Sequence, residues 1–433
     1  MKTISKIISG TLLIFCMFWG LSGCKDSYIE EHTYTANVPV YLSWNDLRNS
    51  ALPQSPLAIG EQGKIYLKDN YLFINEKYKG IHVFDNSNPA NPQDIGFINI
   101  PGNVDLAVRG NFLYADSYVD LVVFDISSIS NPHEIFRLKD IFPYTIPETN
   151  EPFPISEIDT SKGVIVGWKV ERVTERVENG GNNPYRYMYY DRYMNAFYSS
   201  EISSSGSGGQ LIGVGGSLAR FNIYNNQMYA LNYSTLQVIN LSAEGLPAAG
   251  KKIELMHIVE TLFVEGNNLF IGTQTGLLIY SLADATNPVF VSQYDHYQSC
   301  DPVVVNDGYA YVTMRTGNRC GSSGNQMDVV DLRTISTPTL VKSYPMTEPY
   351  GLGIDTKTLF VCDGSAGLKV YDATDPFRID EHLLKTFTDI NATDVIPAGA
   401  SLILLATDGI YQYDYSDLQN IYLLSKIPLY GKK

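Results

Sequence analysis

The chain has 433 residues, 46 acidic against 31 basic side chains and a formal net charge of −15. That balance argues against nucleic acid or another polyanion as partner, because such binders carry a basic footprint. The length admits two or three ordinary domains or one large all-β domain, and an internal repeat decides for the second.

In chain order, the first element is a leader. Lys2 and Lys6 precede an apolar run from Ile7 to Leu21, too short for a stable spanning helix, and small residues lead into Cys24. Residues 1–23 are therefore expected to be a secretory signal. The ending Leu21-Ser22-Gly23-Cys24 resembles the lipobox of bacterial lipoproteins, which implies cleavage and lipid on Cys24, so that the mature protein is anchored to a membrane rather than spanning it. Losing residues 1–23 removes two lysines and no acid, moving the formal charge to −17. Residues 24–55 read as a tether that begins polar and acidic, KDSYIEEHTY. Acidic residues after a lipid cysteine loosely resemble a surface-export signal, so the expected address is the outer membrane, on its periplasmic or cell-surface side.

From residue 56 to 433 one short pattern recurs. Apolar runs stand at IHVFD (81), LVVFD (121), LQVIN (236), LLIYS (277), MDVVD (327), LKVYD (368) and IYQYD (410), separated by 40, 115, 41, 50, 41 and 42 residues. A period near 40 in β-rich, Gly- and Tyr-rich units predicts propeller blades of four strands each. Within DLAVRGNFLYAD (105–116), Arg109-Gly110-Asn111 is a hairpin turn between two strands. The apolar run is then the third strand, covered on both faces, and a turn such as Asn131-Pro132 leads into the fourth. The acids closing the runs, Asp85, Asp125, Asp331 and Asp372, read as turn caps that accept backbone N–H groups.

These runs resemble the LVIVD repeat, a bacterial propeller-forming repeat, most closely at GLKVYDATDP and IHVFDNSNPANP. The resemblance implies a propeller fold on periplasmic or surface lipoproteins, and it implies no particular activity. The 115-residue interval contains ISEIDTSKGVIVGWKVERV (155–173), which looks like the inner strands of a further blade. The expected fold is thus an all-β, eight-bladed propeller of four-stranded antiparallel blades, with a degenerate third blade; seven blades follow if 155–173 only decorates the rim.

An insertion at 174–216 fits no strand pattern. Its tyrosine-rich part presents Tyr185, Arg186, Tyr187, Tyr189, Tyr190, Arg192 and Tyr193, and a Ser/Gly stretch follows. Long loops on rigid scaffolds carry binding, and Tyr with Arg supplies stiff amphipathic contacts; covering a blade edge or plugging the channel is the structural alternative. Cys300 and Cys320 fall on loops of one face and are expected to form a disulfide worth about 3 kcal/mol, leaving Cys362 buried. At the tops of the innermost strands, Asp105, Arg220, His257, Glu260, Asp301, Tyr350 and Asp394 are candidate ligand-binding residues for a funnel-shaped site.

There is no G-x-S-x-G elbow, H-E-x-x-H pair, phosphate loop or EF-hand loop, and the six histidines show no ligand spacing. The sequence therefore reads as a monomeric envelope lipoprotein without cofactor or metal, a non-enzymatic binding or assembly platform for a protein or glycan. A propeller hydrolase or lyase with a polar funnel is the second reading, and a purely structural envelope protein the third.

Overall fold

A computed structural model describes residues 29–144, 146–149, 151–178, 214–215, 220–295, 302–316 and 324–430. The chain divides into two compact units. The larger holds residues 41–148, 160–166 and 192–433 and contains seven four-stranded antiparallel blades. They span residues 62–99, 106–138, 221–254, 259–295, 303–345, 352–387 and 392–428. Each is a continuous stretch of chain whose four strands pair in sequence order, and successive innermost strands are neighbours.

Among the described residues the blades thus number seven, the alternative of the two counts. Residues 155–173 supply no eighth. Val164–Glu178 instead pairs with Ile29–Leu42 in a two-stranded sheet. The span looked like blade strands because Val164 and Ile165 are buried. Beyond them the chain turns charged, with Lys169, Glu171, Arg172 and Arg176 all exposed. Val166 and Val170 are exposed too, unlike the third strands of the blades, which are covered on both faces. In the smaller unit Thr33 and Thr174 share a hydroxyl bond of 2.8 Å and Arg176 pairs with Glu31 at 2.8 Å. There Asn37 donates to the carbonyls of Glu151 and Phe153. The expected tether is regular from Ile29 onward: after that strand come helix α1 (Trp44–Asn49), capped by Ser43, and Leu52–Gln54, which adds an outermost strand to the first blade.

Each apolar run is the third strand of its blade, and most of its residues are buried. The closing acids cap turns. Asp85, Asp125, Asp331, Asp372 and Asp414 accept the N–H two residues on, at 2.7–2.9 Å. These bonds hold all five carboxylates below their ordinary pKa, the side-chain hydrogen bond to the same residue being the main cause. In all seven blades the pairing of the third and fourth strands carries a register shift, and such bulges add the twist an outer strand requires. Gly80 and Gly276 open third strands at φ +150° and +154°, where a Cβ would collide with the carbonyl of Ile98 or Tyr294.

Two features shape the middle and the seam. Val214–Gly215, the last described part of the insertion, pairs antiparallel with the inner edge of Gln62–Lys68 and lies beside the seventh blade's innermost strand. It occupies backbone groups that the innermost strand would otherwise leave unpaired. The ring closes between the first and seventh blades without a shared blade. Ile59, Ile74 and Phe84 pack in one cluster with Ile396, Leu405 and Ile410, and Asn86 and Gln412 exchange two buried amide bonds of 3.0 and 2.8 Å.

Candidate functional site

The turns between second and third strands and the links between blades emerge on one face, here called the upper face. Strand register aligns Ile65, Leu106, Phe221, Leu262, Val303, Leu352 and Val395. The residues just before them, Lys64, Asp105, Arg220, Thr261, Pro302, Gly351 and Asp394, therefore form one level around the ring. Two of the predicted residues, Asp105 and Arg220, do share this level in adjacent blades, and Asp394 joins them; Tyr350 lies one residue toward the rim.

Asp105 is a tie between three blades. Its Oδ2 accepts Lys64 Nζ at 2.7 Å from the first blade and the N–H groups of Arg220 and Phe221 at 2.6 and 3.1 Å from the third. Its Oδ1 accepts the N–H of Leu106 at 2.7 Å. Both Lys64 and Asp105 are buried, and burial lowers the Lys64 pKa. A carboxylate engaged on both oxygens holds blades in register rather than waiting for a ligand. Next to it, Asp116 Oδ1 accepts Asn103 Nδ2 and the N–H groups of Val104 and Asp105 at 2.8–2.9 Å. Burial nevertheless pushes the Asp116 carboxyl up to about 6, against those bonds.

Above this network lies a small pocket of about 50 Å³ walled by Tyr78, Tyr118, Asp116, Arg220, Phe142 and Asn232, among others. Three tyrosines in successive blades occupy equivalent turns in left-handed backbone: Tyr78 at φ 62°, Tyr118 at φ 55° and Tyr233 at φ 49°. Such a conformation costs a bulky residue about 1–3 kcal/mol. It is held by the blade links, since Tyr78 O accepts Gly102 N–H at 2.8 Å and Tyr233 O accepts Val259 N–H at 2.7 Å. Tyr118 lies flat on Gly102, where a Cβ would run into the ring.

The remaining predicted residues lie elsewhere on the upper face. In the fourth blade His257 Nδ1 is 3.1 Å from Thr275 Oγ1 and Glu260 accepts from Gln274 at 3.5 Å. Arg315 of the fifth blade stacks over the Tyr350 ring at 3.8 Å, and Tyr350 donates to Glu348 at 3.2 Å. Asp394 is fully buried against Gly351. These are separate clusters, one per blade boundary, and do not converge with Asp105. Asp301, the Cys300–Cys320 pair, Cys24 and the insertion residues Tyr185 to Tyr193 lie outside the described residues. Cys362 is free and buried, and burial pushes its thiol pKa well up. The upper-face tyrosines escape a reading of the sequence alone, although NEKYKG, ADSYVD and LNYSTL repeat an aromatic after the second strand.

The family model for the LVIVD repeat matches residues 59–99 and 102–140, the first two blades. No curated protein matches the chain significantly in sequence. Among solved structures, a protein from Lactobacillus plantarum is similar at 12% identity and a TM-score of 0.54, over 85% of this chain and 96% of its own. The periplasmic gluconolactonase PpgL of Pseudomonas aeruginosa is similar at 10% identity and a TM-score of 0.51, with the same coverages. At such identities the likeness concerns the fold. The chain thus carries LVIVD repeats in its first two blades and an apolar third strand in all seven blades of its β-propeller.

Proposed function

We propose that this chain is a non-enzymatic binding platform of a bacterial envelope, held to the outer membrane through lipid on Cys24, that takes a protein or glycan partner on its upper face. The observation that carries this reading is the row of left-handed tyrosines, Tyr78, Tyr118 and Tyr233, on three successive blades. Backbone strain repeated on one face, with Tyr78 and Tyr118 lining one pocket with Asp116, Arg220 and Asn232, suits a contact surface that is rigid before its partner arrives. Tyrosine supplies large contact area at low entropic cost. The tyrosine-rich stretch of 174–216 is the second contact in this reading.

The test is in-cell cross-linking and purification of the full chain as wild type, Tyr118→Ala and a variant lacking residues 174–213. Recovery of one envelope partner by wild type, and its loss from Tyr118→Ala at unchanged melting temperature, supports the reading. Equal recovery from all three proteins, or no partner from any, overturns it.

A further inference from the structure

The fourth strands of the seven blades differ at one repeated position, the residue paired with the fourth member of each apolar run. In the blades at 259–295, 303–345, 352–387 and 392–428 it is Phe290, Leu340, Leu383 and Leu423. All four are 48–50% exposed. In the first three blades the same position holds Asp94, Glu134 and Ala249. The fold therefore does not demand a large apolar side chain there, and the repeat serves as its own control. Val289, Leu384 and Tyr422 beside them, and Phe377 in the turn before Leu383, are exposed as well. Single exposed leucines need no explanation, but a row of them at equivalent positions does.

The blade links emerge on the upper face, so the turns into the fourth strands emerge on the opposite one, and this row follows the lower, outer edge of the ring. Each of the four strands is the last of its sheet, and an apolar strand at a sheet edge is a template for pairing. The first blade shows the mode: the extended Leu52–Gln54 pairs with the outer edge of Gln93–Asn99. Charge at the row is one-sided. The turns at 281–288, 331–338, 372–382 and 414–421 hold eight acids against two arginines, whereas the corresponding turns of the first three blades hold Asp85, Asp125 and Glu244. Arg333, Lys342 and Arg378 pair with Asp331, Asp380 and Glu381. Asp284, Asp372, Asp375, Asp414 and Asp417 are left without a salt bridge among the described residues. Nor do the other lysines of these strands offset them, since Lys385 donates to Ile421 O and Lys426 to Asp408.

We infer that the lower outer edge of the four blades from 259 to 428 is a docking surface for an extended protein segment with apolar anchors and lysine or arginine side chains. A large side chain offers about 150–250 Å² in full, so eight of them near half exposure present on the order of 700 Å², close to the ~800 Å² per partner of a standard interface. Spread along an arc of four blades, that area suits an elongated partner. The basic charge follows from the five carboxylates that no base neutralises. A second copy of this chain would bring the same acids against them, and an anionic lipid surface would be repelled likewise. The inference does not rest on the upper-face tyrosines, which lie on the opposite face.

The experiment is fluorescence anisotropy on the full chain with three labelled peptides of equal length: alternating valine and lysine, alternating serine and lysine, and alternating valine and glutamate. The valine–lysine peptide should bind wild type at least tenfold more tightly than either of the others, and added salt should weaken it. Leu340→Ser with Leu383→Ser, which removes two anchors and leaves every charge in place, should weaken that binding at least tenfold. Leu57→Ser, which alters a side chain 46% exposed but away from the arc, should bind as wild type does, and so should Tyr118→Ala. Melting curves establish that each variant is folded. Equal binding of the valine–lysine and serine–lysine peptides, undiminished binding by the double variant, or loss of binding in Leu57→Ser or Tyr118→Ala overturns the proposal. Self-association of wild type, or its flotation with vesicles of phosphatidylethanolamine, that the double variant loses would give the edge to a second copy or a lipid surface and overturn it equally.

Discussion

At the scale of single residues, the upper level of the ring separates polar groups that hold blades from those able to meet a ligand. Asp105 belongs to the first kind, because its oxygens are taken by Lys64 and three backbone N–H groups. Asp105→Asn keeps an oxygen for the Arg220 N–H but leaves the Lys64 ammonium buried without a counter-charge, which should cost about 3–5 kcal/mol. Adding Lys64→Met removes that ammonium and should restore most of the loss in urea denaturation. A double variant no more stable than Asp105→Asn alone would show that the Lys64 charge is not what the carboxylate serves. Asp116 behaves in the opposite sense to the turn-capping acids. Its folded-state pKa of about 6 lies above the unfolded value, so the folded state binds the proton more tightly and stability falls as pH rises from about 4 to about 6. Relative to Asp116→Asn, wild type should lose on the order of 2 kcal/mol across that window and stay level above it. A stability difference independent of pH would refute the raised pKa. The capping acids have depressed pKa values, and their contribution is lost only as pH drops below about 4.

At the scale of elements, the legible features are those fixed within one blade. The third strand is covered on both faces, so LVVFD and LKVYD must be apolar at successive positions, and a period near 40 follows from repeating the unit. The turn acids are equally legible, since an acid accepting an N–H two residues on is a local event. What escapes is non-local. Val164–Glu178 begins as an inner strand would, yet its partner is Ile29–Leu42, more than a hundred residues earlier, and no pattern within the span reveals which strand it will meet. The site is half legible for the same reason. Register places Asp105 and Arg220 at one level, but Lys64 sits after a register shift between Gln62 and Ile65, which hides its equivalence from a linear alignment. Tyr78, Tyr118 and Tyr233 differ in flanking residues, and only their shared left-handed backbone marks them as a set. In sequence His82 is one residue of an apolar strand, and the structure buries it fully beside Phe97.

At the scale of the whole ring, consecutive blades pose the question of closure. Each blade of this propeller is built from one stretch of chain, so no strand crosses the seam between the first and the seventh to tie it covalently into both. Six boundaries are crossed by the chain itself, and the seventh depends on side chains and on one backbone bond, Tyr430 N–H to Ile59 O at 2.7 Å. Isoleucines and Phe84 supply its apolar part, but apolar packing fixes distance better than register. Register at the seam falls to that backbone bond, to Ser425 Oγ donating to Pro89 O at 2.6 Å, and to the buried pair Asn86 and Gln412, whose two amides each donate and accept once. Removing either one strands a donor and an acceptor of the other, at about 1–3 kcal/mol. Gln412→Leu and Asn86→Leu should therefore each destabilise the chain by that amount, and the double variant should be less damaged than the two losses added. The loss should also be local. Hydrogen exchange in Gln412→Leu should accelerate first in the blades at 62–99 and 392–428, while the blades at 221–254 and 259–295, far around the ring, keep their protection. Uniform acceleration of all seven blades would mean that the ring opens as one cooperative body and that the seam is no weaker than the boundaries the chain crosses.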